Sequence, residues 1–350
     1  MAASAVQDLT AQTISAFTAK QDLSIVLFDA PWCVHSKVAS PEYHTAASMA
    51  ASESWTFGHV DCAAEHELCK ELAIPIYPTL IVFHGQQRTV YNGERKAKNI
   101  FSFLRRHSHP DITLLSNVHD VADFNSKDRV TIVGYFDADD QISNTTFTKV
   151  ARSLRGEHIF GSISDNTFGL AENLQKPGII LFKHFDEGKS HFADTFDEET
   201  IKDFINEAAS PLISELGLDL RPDYAFAVDV PVAFIFVEGE QGREQLTKTL
   251  HPVAKEFEEQ VGWVTGDPLE HAGVSSRVGL KPGSWPAFAI IDNKSDRRFV
   301  FHQRGWLSDL NEHSIRSFVQ DFVHGKLQPE KLDAGLLSGQ EAHVSSHDEL

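Results

Sequence analysis

Short apolar runs alternate with amphipathic stretches along this chain, and the alternation occurs three times. Ile25-Val-Leu-Phe-Asp29, Ile132-Val-Gly-Tyr-Phe-Asp137 and Val232-Ala-Phe-Ile-Phe-Val237 are β-rich runs, each leading into an acidic or turn segment. About 40–50 residues after each comes a proline that opens a second strand: Pro78-Thr-Leu-Ile-Val-Phe83, Pro177-Gly-Ile-Ile-Leu-Phe182 and Pro286-Ala-Phe-Ala-Ile-Ile291. A turn follows each of these strands, at His84-Gly85, Asp186-Glu187-Gly188 and Asp292-Asn293. Then Ile100/Phe103, Ile201/Phe204 and Ile315/Phe318 fall three apart, on one face of a helix. The three prolines stand about 100 residues apart, the size of a small domain.

Each repeat reads strand, helix, strand, then proline, strand, turn, strand, helix. A parallel crossover followed by a terminal hairpin is the content of the thioredoxin fold. The expectation is an α/β protein of three tandem thioredoxin-like domains, at 1–108, 109–214 and 215–330. Residues 331–350 are rich in Gly, Ser and His without periodicity, and are expected to be a tail. A cis bond before the repeated prolines is compatible with the pattern, but the sequence does not display one.

The 350 residues are 41% hydrophobic and 23% charged, ordinary for a globular protein and unlike a disordered one. The longest apolar runs are far shorter than the ~20 residues of a membrane span, so no membrane partner is expected. A formal net charge of −19 argues against nucleic acid, whose phosphates call for basic patches, and reads as a solvated acidic surface. Three cysteines are too few for a disulfide framework. The chain ends His347-Asp348-Glu349-Leu350, a receptor-read address for retention in the endoplasmic reticulum. The first 25 residues lack a signal-peptide pattern, so the sequence is read as a mature form with an added Met1. Among 18 histidines, His107 with His109 and His343 with His347 are the pairs that come nearest to zinc ligands. No ligand set has zinc spacing, so they are read as solvated surface histidines, and no metal or cofactor is expected. Asn144-Thr145-Thr146 and Asn293-Lys294-Ser295 are glycosylation sequons.

Ala30-Pro31-Trp32-Cys33-Val34-His35-Ser36-Lys37, followed by Pro41-Glu42-Tyr43, resembles the active-site region of protein disulfide isomerases. That family carries Ala-Pro-Trp-Cys-Gly-His-Cys-Lys, then Pro-Glu-Tyr. Asp61-Cys62 through Cys69 and Tyr77-Pro78-Thr79 are similar to the fungal-type first catalytic domain. Lys176-Pro177-Gly178 through Lys189 resembles the noncatalytic second domain, and Ser210-Pro211-Leu212-Ile213 its junction to the third. The resemblance covers nearly the whole chain as an a–b–b′ arrangement, without the second catalytic domain. Two departures matter: Ser36 stands where the resolving cysteine belongs, and Leu27 stands where catalytic domains usually carry a buried glutamate. Arg95 matches the arginine that approaches the family's active-site cysteine. The layout is that of the single-cysteine, Cys-x-x-Ser members.

Cys33 follows an apolar strand and opens a helical stretch, where the helix N-terminus lowers a thiol pKa. Its thiolate would form a mixed disulfide that Ser36 cannot resolve, because a hydroxyl neither forms a disulfide nor ionises near neutral pH. This disfavours net oxidase or reductase activity and leaves isomerisation through the client's own thiols open. The candidate catalytic residues are therefore Cys33, His35, Ser36, Arg95 and Pro78, with Trp32 and Tyr77 on the client side. Plainer readings stand beside these: an inert Cys33, a packed Trp32, a passive His35, a surface ion pair at Arg95, and simple strand-start geometry at Pro78. Cys62 and Cys69 are read as a structural disulfide rather than a redox pair. Phe234, Phe236, Phe257 and Phe288 are candidates for the apolar client pocket that b′ domains carry, against ordinary core packing. The function expected is a luminal chaperone that captures unfolded or cysteine-bearing secretory proteins through Cys33 and is bound by the retention-signal receptor. The alternatives are a noncovalent scaffold for one luminal enzyme, or a weak isomerase.

Overall fold

The structure, a computed structural model, describes residues 6–19, 23–85, 87–219, 224–281, 283, 285–302 and 310–330. The tail from 331 and its tetrapeptide His347–Leu350 lie outside the described residues. The chain divides into two compact units, with the boundary between Ala209 and Ser210.

The first unit contains two five-stranded sheets. In the first, β1 (Gln7–Asp8), β2 (Ser24–Asp29), β3 (Thr56–Asp61), β4 (Thr79–His84) and β5 (Gln87–Tyr91) lie in the order β1-β3-β2-β4-β5. Strands β1 and β2 run parallel to β3; β4 runs antiparallel to both β2 and β5. Helices α1 (Ile14–Thr18), α2 (Val34–Met49), α3 (His66–Glu71) and α4 (Ala97–Ser108) connect and cover the strands. All six residues of β2 are buried because the sheet is covered on both faces. Leu23, Ile25 and Leu27 pack with Tyr43, Ala46 and Ala47 of α2, while Val26 and Phe28 pack with Phe17 and Leu68 on the other side. The buried Tyr43 hydroxyl, 2.8 Å from both the Ile25 and Gly58 carbonyls, ties α2 to the two central strands. At the hairpin between β4 and β5, Gly85 has φ +58°, which glycine adopts without steric cost.

The second sheet repeats the connectivity with β6 (Thr113–Leu115), β7 (Val130–Tyr135), β8 (Ile159–Ile163), β9 (Gly178–Lys183) and β10 (Lys189–His191), in the order β10-β9-β7-β8-β6. Its helices α5 (Val118–Asn125), α6 (Gln141–Ser153), α7 (Asn166–Glu172) and α8 (Glu198–Ala208) are all N-capped by side chains, from Asn117, Asp140, Asp165 and Asp197. The second unit has the same design: β11 (Ile213–Glu215), β12 (Val232–Phe236), β13 (Gly262–Gly266), β14 (Ala287–Asp292) and β15 (Arg297–Val300), ordered β11-β13-β12-β14-β15. Helices α9 (Glu240–Glu256), α10 (Ala272–Arg277) and α11 (Glu312–Val323) flank it.

The fold is thus α/β with three thioredoxin-like sheets. Each carries one edge strand more than the apolar pattern indicates, since strands as short as β1 bury too little to show a period. The expected cut at 214/215 runs through β11, whose Ile213 and Ser214 pair with Trp263 and Val264 of the third sheet. The peptide bonds Tyr77–Pro78, Lys176–Pro177 and Trp285–Pro286, at the entrances to β4, β9 and β14, are all cis. Placing Phe234, Phe236, Phe257 and Phe288 in a client pocket is corrected. The first two and Phe288 are fully buried, and Phe257 is 8% exposed. Because the third sheet is covered on both faces, both side-chain rows of β12 enter a core: Phe234 and Phe236 one, Ala233 and Ile235 the other.

Candidate functional site

Strand β2 ends at Asp29, and the chain turns sharply before α2. The turn is closed by the Cys33 N–H, which donates to the Ala30 carbonyl at 3.0 Å. Cys33 is the N-cap residue, with extended backbone (φ −78°, ψ 123°), and its carbonyl accepts the first helical bond from the Lys37 N–H at 3.2 Å. The sulfur therefore sits where the first-turn amides of α2 have no carbonyl partner within the helix. The first-turn amides of α2, Ser36 first and then His35, hold the Cys33 pKa below the ordinary thiol range by their proximity, with no formed cap hydrogen bond to the sulfur, while desolvation and the Asp29 charge oppose. Cys33 is partly exposed, and its Sγ lies 3.5 Å from the Tyr77 carbonyl oxygen, on the residue before the cis proline.

Several apolar side chains near the sulfur are exposed, beside the exposed His35 and Lys37. Trp32 is 69% exposed and meets Tyr77 edge-on, ring centroids 5.9 Å apart. Val34 and Val38, one turn apart on α2, and Ile76 are equally open to solvent. These three complete a rim that reading the motif alone missed; the i, i+4 spacing of the two valines was the available signal. His35 points outward and is exposed. Ser36 is buried at 2% exposure in the first turn of α2, three residues after Cys33. Pro78 is buried, and its carbonyl accepts a bond from the exposed Arg95 guanidinium at 3.1 Å, so Arg95 fastens the cis-proline loop facing Cys33.

Cys62 and Cys69 are joined, Cα atoms 5.7 Å apart, linking the end of β3 to α3. Both are 2% exposed and pack with Val26 and Phe28, on the sheet face away from α2. Leu27 is buried in the α2-facing core. A further polar group was not anticipated: His59 of β3 bonds Asp29 through Nε2 and Asp8 through Nδ1, each at 2.9 Å. Nothing in the spacing of Asp8, Asp29 and His59 signals this; strand register alone assembles it.

Two other expectations change. His107 is 3% exposed, against the reading of it as a solvated surface histidine, because it closes α4 against Gly156 and Arg155. Asn293 Nδ2, the atom that would carry a glycan, donates to the carbonyls of Ala225, Val228 and Val230 at 3.1–3.4 Å, so its role in the folded chain is to hold a loop. Asn144 lies on α6, half-buried, with Oδ1 3.3 Å from the Thr148 hydroxyl. Among the described residues no helix is long and apolar enough to cross a membrane.

Three repeated sheets with a thiol at one helix N-terminus, facing a cis-proline loop, define a multidomain thioredoxin-fold protein. Comparison with known families agrees: the thioredoxin family matches residues 5–106, and a thioredoxin-like domain family matches 136–321. The chain is 35% identical over 344 residues to the protein disulfide-isomerase of Humicola insolens, covering 98% of this chain and 67% of that one. It belongs to the protein disulfide-isomerase family. The chain spans about two thirds of the length of the fungal isomerases it matches. Among solved structures, the bb fragment of ERp72 aligns over 63% of this chain and 100% of that one, at 18% identity and a TM-score of 0.50. Human ERp44 aligns over 93% of this chain and 90% of that one, at 19% identity and a TM-score of 0.45.

Proposed function

We propose that this protein is a chaperone of the endoplasmic reticulum lumen that captures unfolded or unassembled secretory chains as mixed disulfides on Cys33. The observation that carries the reading is a partly exposed, ionisation-favoured sulfur with Ser36, not a thiol, behind it. In the capture step the Cys33 thiolate attacks one sulfur of a client disulfide. The Cys33–client S–S bond forms, the client S–S bond breaks, and the departing client sulfur leaves as a thiolate that takes a proton from water. No net oxidation or reduction occurs. In a two-thiol site the next thiol would expel the client; Ser36 does not. The adduct lasts until a thiol of the client, or a small thiol, attacks it. The exposed rim of Trp32, Val34, Val38 and Ile76 suits unfolded segments that display apolar side chains. The terminal His347-Asp348-Glu349-Leu350 supports luminal retention through its receptor.

The test is thiol trapping in cells, followed by a diagonal nonreducing gel and mass spectrometry. Adducts that vanish in Cys33→Ala support capture; identical client recovery from both forms refutes it and leaves a noncovalent scaffold. The name shared by the relatives favours a second activity, slow isomerisation resolved by the client's own thiols. Refolding of a scrambled-disulfide substrate no faster than a glutathione blank would refute that.

A further inference from the structure

The α2-facing row of β2 runs Ile25, Leu27, Asp29: two side chains deep in the core, and then a carboxylate 8% exposed at the strand end where the chain turns to Cys33. A carboxylate so nearly dry is costly unless paired. Its partner is on β3. In the parallel register Leu27 lies opposite His59 and Asp29 opposite Asp61, so His59 shares the face of Leu27 and Asp29. Leu27 offers no polar atom, and the His59 ring bonds Asp29 Oδ1 through Nε2. Its other nitrogen bonds Asp8 on the edge strand β1, which is paired with β3 at that same residue. A ring flanked by two carboxylates donates from both nitrogens only when it is the imidazolium. The bond to Asp29, with that to Asp8, raises the His59 pKa to about 9 against the opposing effect of burial. Asp8, Asp29, His59 and Asp61, which lies opposite Asp29 and accepts from the Ala63 N–H, are thus the charged side chains on this face of β1, β2 and β3, with Cys33 next at the start of α2. Asp29 acts on the Cys33 sulfur through space and opposes its ionisation.

We propose that the Asp29–His59 ion pair adjusts the ionisation of Cys33: His59 neutralises Asp29 and so removes a charge that works against the first-turn amides of α2 at the thiolate. The two are positioning residues that touch neither client nor sulfur. The inference concerns the thiol alone and stands apart from the capture reading, because its test uses no client.

The test reads the pH profile of alkylation of the full chain by iodoacetamide. With Cys62 and Cys69 bonded, Cys33 is the free thiol among the three cysteines, and Cys33→Ala supplies the blank. His59→Gln leaves the Asp29 charge uncompensated; the midpoint is expected to rise by about half a unit, a threefold slower alkylation below it. His59→Lys keeps the pair and the midpoint. His59→Gln with Asp29→Asn removes both charges and returns the midpoint to that of the parent. His59→Lys with Asp29→Asn leaves a lone cation and lowers it. Midpoints of the folded variants, checked by circular dichroism, must follow the net charge of the pair. If any one variant fails to fold, the remaining ones still fix that order. A midpoint that is the same in all, or that moves against the charge, overturns the proposal.

Discussion

Acidification is expected to destabilise the first unit through His107. The ring closes α4, 3% exposed, stacked on Phe103 with centroids 4.4 Å apart. The Arg155 guanidinium donates to the carbonyls of His107 and His109 at 3.1 and 3.2 Å and brings positive charge beside the ring. Burial first, and then Arg155 and His84, lower the His107 pKa to about 4, against an ordinary 6.5. Between those values the unfolded chain binds a proton that the folded chain refuses, so stability is full above pH 6.5 and falls as the pH drops toward 4. The whole shift is worth about 3 kcal/mol, of which about 2 kcal/mol is already lost at pH 5. His158, also held at about 4 by burial, adds in the same direction, so the informative quantity is the difference between parent and His107→Leu. Urea-dependent hydrogen exchange of peptides covering Ala97–Ser108 at pH 8 and pH 5 measures it. The parent should lose about 2 kcal/mol more than the variant across that interval. Equal losses in the two proteins would show that His107 is protonated in the fold and that the argument from burial fails.

Ser36→Cys, placing a thiol at the resolving position, should shorten the lifetime of client adducts by at least tenfold in a nonreducing gel time course; an unchanged lifetime would remove Ser36 from the capture account. Cys62→Ala with Cys69→Ala opens a loop of sequence separation 7 and should cost about 2–3 kcal/mol in urea unfolding, without changing alkylation of Cys33. Asn293→Ala should cost about 1–2 kcal/mol through the lost bonds to Ala225, Val228 and Val230, and the mass of the secreted-pathway protein should show no glycan at Asn293. His59 acts with the opposite sign to His107. Its raised pKa gives stability that is full below 6.5 and lost as the pH rises toward 9, an alkaline limb that His59→Gln should flatten in the same exchange measurement.

The three-domain α/β fold was legible because its signals are local. A strand covered on both faces reads as a nearly continuous apolar run, and a helix on that sheet repeats apolar residues at its own period. Hence Ile25–Phe28, Ile132–Val133 and Val232–Val237 announce central strands, and Ile100/Phe103, Ile201/Phe204 and Ile315/Phe318 announce the covering helices. The same continuity hid which phenylalanines could meet a client. A residue buried on either face of the sheet and one open to solvent are written alike, and only the packing sends Phe288 under α9 and Phe234 and Phe236 into the core on the opposite face. Cys33 and Ser36 were legible from the resemblance of Ala30–Lys37 to the isomerase active-site motif, a local run of neighbouring residues. The His59 bridge between Asp8 and Asp29 was not, because 51 and 30 residues separate the partners. Periodicity within a segment is a property of neighbouring residues and survives in the sequence. Which charge comes to rest beside the sulfur depends on how β1, β2 and β3 align, and that alignment is settled by the burial of the whole sheet.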